Sequence, residues 1–238
     1  MGVNDLKIKL FADGADLAGM LEMYADPKIK GFTTNPTLMN KAGVADYEAF
    51  SRELLAKIPD RPVSLEVFAD DLAEMERQAR KIASWGDNVN VKIPVSTTTG
   101  ESTAPIIKTL AAEGVVLNIT AIFTHDQVRE IGAALSADTP AIVSVFAGRV
   151  ADTGLDPMPH MAECLNILAD RPKAELLWAS PRELLNVFQA DEVGCHIITA
   201  TNDILKKLSL VGKDLTDYSR ETVQMFRTDA VAAGYSIA

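Results

Sequence analysis

The chain is poor in cysteine and histidine: two cysteines and three histidines in 238 residues. Cys164 and Cys195 lie in apolar stretches, outside any CxxC or Cys/His cluster. They read as small core residues in a reducing compartment, and no zinc site is expected. His125 reads as a first-turn surface residue, and His160 and His196 as structural groups without ligand partners. Basic residues are outnumbered, 23 against 33 acidic, for a net charge of −10. That excludes a broad nucleic-acid-binding surface, yet a few local arginines can still hold a small anion. No apolar run reaches the length of a membrane span. Met1 to Lys9 is polar, without a signal-peptide pattern. The expectation is a soluble cytoplasmic protein with no membrane partner, no metal and no cofactor.

What the chain has is core. Hydrophobic residues make up 47% of it, which argues against disorder. Short apolar strands are expected at Lys7–Asp13, Ile29–Thr34, Pro62–Ala69, Asn88–Pro94, Val115–Ile122, Ala141–Ala147, Glu175–Ala179 and Gly194–Thr199. Helical periodicity follows most of them, for instance over Asp46–Lys57 and Asp71–Trp85. Thr124 and Gln127 have capping-box spacing. Pro181 falls near the start of a helix, where proline is tolerated. Strand–helix alternation predicts a parallel sheet with covering helices. Eight such units predict one (β/α)8 barrel domain over 1–238, an α/β TIM barrel, with 214–238 as an additional C-terminal helical extension. A doubly wound open sheet is the alternative, but nothing like GxGxxG follows the first strand.

The stretch Asn90-Val91-Lys92-Ile93-Pro94 organises the rest. Alternation puts Val89, Val91 and Ile93 on one face and Asn90 and Lys92 on the other. A lysine there either snorkels to solvent or serves as a nucleophilic amine. Its company decides. Strand after strand ends on a polar residue of the inward face: Asp13, Thr33 and Asn35, Glu66, Asn118 and Thr120, Ser144 and Arg149, Ser180 and Arg182. Catalytic groups of a barrel come from those ends. The pattern predicts a barrel enzyme with a lysine-centred site.

Several stretches carry a resemblance: GFTTNPT (Gly31–Thr37), SLEVFA (Ser64–Ala69), NVKIP (Asn90–Pro94), NITAIFTHDQ (Asn118–Gln127), VSVFAGRVAD (Val143–Asp152) and WASPR (Trp178–Arg182). In order and spacing the sequence resembles the transaldolase family, which includes fructose-6-phosphate aldolases. The resemblance implies a Schiff-base lysine at Lys92 that attacks the ketone of a sugar phosphate. It implies Glu66 and Thr120 around a catalytic water and Asp13 as the acid/base at the breaking carbon–carbon bond. Thr33, Asn35, Asn118, Ser144 and Phe146 fall at substrate-binding positions, and Arg149, Ser180 and Arg182 at the phosphate site.

Aldolases of this family tend to carry Gln at the place of Glu66 and Tyr at the place of Phe146, so Glu and Phe favour transfer over cleavage. Two departures leave the substrates open. The loop Val95–Pro105 is longer than in small family members, and Pro181 stands where Phe is usual. The alternatives are fructose-6-phosphate cleavage, a different ketose and aldehyde pair, or an inactive sugar-phosphate-binding barrel. The resemblance also implies a homo-oligomer, commonly a decamer, with Tyr218–Ala232 packing on a neighbour.

Overall fold

The computed structural model describes residues 2–237. Eight parallel strands close into a barrel in sequence order: β1 (Lys9–Asp13), β2 (Ile29–Thr33), β3 (Val63–Glu66), β4 (Val89–Pro94), β5 (Leu117–Ile122), β6 (Ala141–Val145), β7 (Ala174–Trp178) and β8 (Ile197–Thr201), with β8 pairing back on β1. The principal helices between them are α1 (Leu17–Tyr24), α2 (Pro36–Lys41), α3 (Tyr47–Lys57), α4 (Leu72–Ala83), α5 (Ala104–Ala112), α6 (His125–Ala134), α7 (Ala147–Asp152), α8 (Pro157–Ile167), α9 (Leu185–Val193) and α10 (Asn202–Lys206). Closure leaves no open sheet edge. The doubly wound alternative is thereby ruled out.

Alternation sorts the side chains. Residues such as Leu65, Val91, Ile93, Ile119, Val143 and Leu176 point outward and meet the helices in one large core. Inside the barrel a separate apolar plug forms from Phe11, Ile142, Leu177, Ala179 and Ile197. Phe11 needs Gly31 beside it: a Cβ at Gly31 would lie 2.5 Å from the Phe11 ring. The plug floors the interior on the β1 and β6–β8 side. The β2–β5 side is lined by the buried polar residues Thr33, Ser64, Asn90, Lys92 and Asn118. Polar groups so placed are costly to bury, and their hydrogen bonds indicate where a ligand is handled.

Several helices start where sequence chemistry dictates. Asp46, Asp71 and Asp156 cap α3, α4 and α8 with their carboxylates, and Thr124 and Gln127 form the expected capping box on α6. Just past the strand expected at Ile29–Thr34, Asn35-Pro36 begins α2: Asn35 is its cap and Pro36 opens it. The expected strand Ala141–Ala147 stops at Val145, and the short α7 follows. Beyond the barrel runs α11 (Leu215–Ala232), none of whose residues is buried. Its Val223, Met225, Phe226 and Val231 are all more than half exposed. Among the described residues no helix is long and apolar enough to cross a membrane.

Candidate active site

All the polar residues picked from the sequence, with Phe146, line one cavity of about 580 Å³ at the C-terminal mouth of the barrel. Parallel register explains the gathering. Glu66 lies beside Lys92, Lys92 beside Asn118, and Pro94 beside Thr120, so neighbouring strands present these side chains at adjacent levels.

Lys92 is 7% exposed. It does not snorkel. Its Nζ donates to the Thr34 carbonyl at 2.9 Å and lies 3.0 Å from Glu66 Oε2. Its nearest charged group is the Glu66 carboxylate, and Asp13 is close enough to feel the lysine's charge. The pair is held by charge rather than by an aligned hydrogen bond: Glu66 Oε2 has no hydrogen-bond partner among the described residues, and neither has buried Thr120 Oγ1. A buried carboxylate oxygen and a buried hydroxyl with unmet capacity, on either side of a lysine, are a place for a small polar ligand.

Asp13 is pushed above the usual carboxylate range, chiefly by burial, against the opposing pull of Lys92 and a hydrogen bond from Thr33. Thr33 Oγ1 donates to Asp13 Oδ1 at 2.7 Å and sits 2.5 Å from Thr199 Oγ1. A hydroxyl has one proton. With Thr33 donating to the carboxylate, Thr199 must donate to Thr33. If Asp13 gains a proton the chain can reverse. The two threonines therefore fit either charge state of Asp13.

Polar side chains also line up across β3, β5 and β6. Ser144 Oγ donates to Asn118 Oδ1 at 2.6 Å, and Asn118 Nδ2 donates to Ser64 Oγ at 2.9 Å. Asn35 Oδ1 is committed to the Leu38 amide as the cap of α2. That leaves its amide N–H groups for a ligand, so Asn35 can donate but not readily accept.

The mouth is shaped by strained backbone. Register slips between Ile119 and Ile122 in β5, where Ala121 takes φ +59°. Bulges of this kind re-aim side chains beside active sites. Opposite, Ser180 takes φ +57°, and its carbonyl packs so closely on Gly148 that a Cβ there would lie 1.6 Å from it. The glycine of the FAGR segment is thus required by contact. It seats Ser180 beside Arg149, whose guanidinium lies 5.1 Å from the Phe146 ring centre. Phe146 in turn stands against Phe123, ring centres 5.6 Å apart.

Arg182 is held differently. Its Nε donates to Asp152 Oδ1 at 3.0 Å and a second guanidinium nitrogen pairs with Oδ2. This half-exposed ion pair holds the Asp152 carboxyl below its usual range. Pro181 lies near the start of a helix, as expected: it follows left-handed Ser180, Arg182 N–H is capped by Asn186 Oδ1, and α9 begins at Leu185.

Thr199 and Lys41 also line the cavity and were missed. Thr199 lies two residues beyond Ile197 on the same strand face, a signal available in the sequence. Lys41 ends α2, which was not foreseen. No histidine or cysteine is among the lining residues.

Residues 10–237 match the family described as transaldolase/fructose-6-phosphate aldolase. A probable transaldolase of Dehalococcoides mccartyi is 35% identical over 211 residues, covering 88% of this chain and 93% of that protein. One of Rhizorhabdus wittichii is 33% identical over 231 residues, covering 97% and 100%. Among solved structures, dihydrodipicolinate synthase from Rhodopseudomonas palustris shares the fold, with TM-score 0.55 over 94% of this chain and 79% of that one, at 18% identity.

Proposed function

The chain belongs to the transaldolase/fructose-6-phosphate aldolase family, and from that membership we propose that it is a transaldolase, moving a dihydroxyacetone unit from a ketose phosphate to an aldose phosphate through a Schiff base on Lys92. The observation that carries this is the buried Lys92 amine set between Glu66 and Asp13 in a cavity with arginines at its rim. Fructose 6-phosphate and sedoheptulose 7-phosphate are the donors proposed.

Attack needs the neutral amine. Glu66, 3.0 Å away, is placed to take the ammonium proton. Nζ then adds to the C2 carbonyl, and the carbinolamine loses water with Glu66 and Thr120 shuttling protons through a bound water. This role fits the unmet hydrogen-bond capacity of both. Asp13 takes the proton of the C4 hydroxyl as the C3–C4 bond breaks. The electron pair passes into the iminium, leaving an enamine on Lys92, and the aldose phosphate departs. A second aldose phosphate accepts the enamine carbon, Asp13 returns its proton to the new alkoxide, and hydrolysis frees the amine. This is a ping-pong scheme. A base held above its ordinary range by burial is closer to the working pH, which suits a group that must both take and give a proton.

Asn118, Ser144 and Asn35 offer donors and acceptors for the sugar hydroxyls, with Thr33 holding Asp13. Arg149, Ser180 and Arg182 would hold the phosphate by fork geometry. The Asp152 pair on Arg182 favours a second reading, a transaldolase-like enzyme with another ketose and aldehyde pair. Glu66 and Phe146 favour transfer over simple cleavage. The excess of acidic residues weighs against a nucleic-acid partner, and two buried free cysteines suit the cytoplasm. The uncovered α11 suits a homo-oligomer, a decamer by family resemblance.

The test is to incubate the protein with fructose 6-phosphate, reduce with borohydride and map the peptides. A dihydroxyacetone adduct on Lys92 is expected, and erythrose 4-phosphate added before the borohydride should prevent its trapping, with formation of sedoheptulose 7-phosphate. Loss of the trappable adduct without acceptor, with release of dihydroxyacetone, makes the enzyme an aldolase. Absence of an adduct with any ketose removes the enzymatic reading.

A further inference from the structure

Outside the barrel, where the first turn of α6 meets α8, three side chains come together that no motif in the chain links. His125, His160 and Cys164 each offer a ligating atom, and these atoms lie within 4.8 Å of one another. His160 and Cys164 are four residues apart on α8 and share a face. His125 is the first residue of α6. It is not a free surface side chain: its ring stacks on His160 with centres 4.3 Å apart and planes 22° apart.

The ring nitrogens are sorted by their hydrogen bonds. His125 Nε2 lies 3.2 Å from the His160 carbonyl. Donation there leaves Nδ1 with a lone pair. The His160 ring lies near the Phe123 carbonyl, and its Nε2 is buried with no hydrogen-bond partner among the described residues. A metal-binding histidine usually gives its second N–H to a carbonyl or carboxylate, which fixes ring and tautomer. His125 has that support in the His160 carbonyl. An unpaired buried imidazole nitrogen is otherwise a cost with no return. Nor is Cys164 a reactive thiol: it is fully buried, and burial pushes it up to about 12.

We propose that His125, His160 and Cys164 form a binding site for a divalent transition-metal ion of the zinc type. Two imidazoles and one thiolate are a borderline-soft donor set that suits such an ion and not magnesium or calcium. Tetrahedral coordination wants its donors about 3.3–3.6 Å apart, given metal–nitrogen and metal–sulfur lengths of about 2.0 and 2.3 Å. With donor atoms within 4.8 Å of one another, closing on an ion requires the side chains to draw together by about 1 Å and the near-parallel rings to tilt out of their stack. On binding, Cys164 loses its proton to solvent and becomes the thiolate ligand. The histidines are partly exposed, so water can fill the fourth position. The ion would tie α6 to α8 just behind Phe123, whose ring backs Phe146 in the cavity wall.

Chelator-treated full-length protein titrated with Co²⁺ tests this. One ion per chain is expected, with a thiolate-to-cobalt charge-transfer band and the visible bands of a tetrahedral ion, both displaced by one equivalent of Zn²⁺. Cys164→Ala should abolish the charge-transfer band. His125→Gln, at a partly exposed helix start where folding is safe, should weaken Co²⁺ binding at least as much as loss of an outer-shell partner does, about tenfold or more. A wild-type protein without the charge-transfer band, or stoichiometric binding undiminished by His125→Gln, overturns the proposal. Should Cys164→Ala fail to fold, the wild-type spectrum and the His125→Gln affinity still decide. Neither readout depends on ketose chemistry.

Discussion

Replacing Gly148 by alanine tests the phosphate end of the cavity. In most helices such a change stabilises, by about 0.5–1 kcal/mol. Here the new Cβ would lie 1.6 Å from the Ser180 carbonyl oxygen and 2.6 Å from its carbon, both backbone atoms that no rotamer change can move. A relaxed carbon–oxygen contact is about 3.3 Å, so the two segments must part by about 1.7 Å. Overpacking of this kind costs about 1–3 kcal/mol, and at this chain length each kcal/mol moves Tm by about 2–4 °C. A fall of about 2–12 °C is therefore expected where an ordinary helical site would give a rise. The displacement separates Ser180 from Arg149. A shift of about 1 Å at a positioning group can cost about 100-fold. Borohydride trapping separates the effects: adduct formation from fructose 6-phosphate should fall steeply, while trapping of unphosphorylated dihydroxyacetone on Lys92 stays within a few-fold of wild type. Equal losses for both ketones, or an unchanged Tm, would refute the assignment of this contact to the phosphate end.

Phe146→Tyr adds a hydroxyl to the cavity that Glu66 and Thr120 line, where the catalytic water is proposed. Dihydroxyacetone release should rise about tenfold or more relative to transfer, in line with a general-acid contribution, and an unchanged ratio in a folded variant counts against the role given to Phe146. Thr199→Val removes the donor behind Thr33 and so weakens the bond that lowers the Asp13 carboxyl. The acid limb of kcat/KM should move to higher pH, and a pH profile that moves the other way or not at all sinks the relay. Asp13→Asn should abolish cleavage yet stabilise the fold near neutral pH. The wild-type acid is raised by burial, so its contribution to stability is present below the unfolded value near 3.8 and is lost as pH rises through the folded value. Denaturant titrations should show the variant's advantage shrinking as pH falls towards 3.8; an advantage that grows on acidification contradicts the sign.

The barrel and most of its site were legible because both follow from one short-range rule. Alternation along a strand tells which residues face inward, and parallel register places their C-terminal ends together, so Glu66, Lys92 and Asn118 could be grouped before any coordinates. Where the reading failed, a different rule was at work. Asn35-Pro36 can end a strand or begin a helix, and only the Leu38 amide on Asn35 decides. That Arg182 faces Asp152, and that His125 meets His160, depends on how α7 packs beside the β7 loop and α6 beside α8. Contacts between helices leave no periodic trace in the chain.

The exposed flank of α11 bears on how the protein behaves on dilution. A helix of 18 residues with no buried side chain has little beyond its own propensity to hold it, and isolated helices of about 12–15 residues are already marginal in water. Its amide protons should exchange with solvent far faster than those of the barrel strands whenever the apolar flank is uncovered, and slow down as a covering surface is supplied. Exchange rates in this one segment, followed across protein concentration, would report the population of covered helix directly, while the barrel remains a constant internal reference.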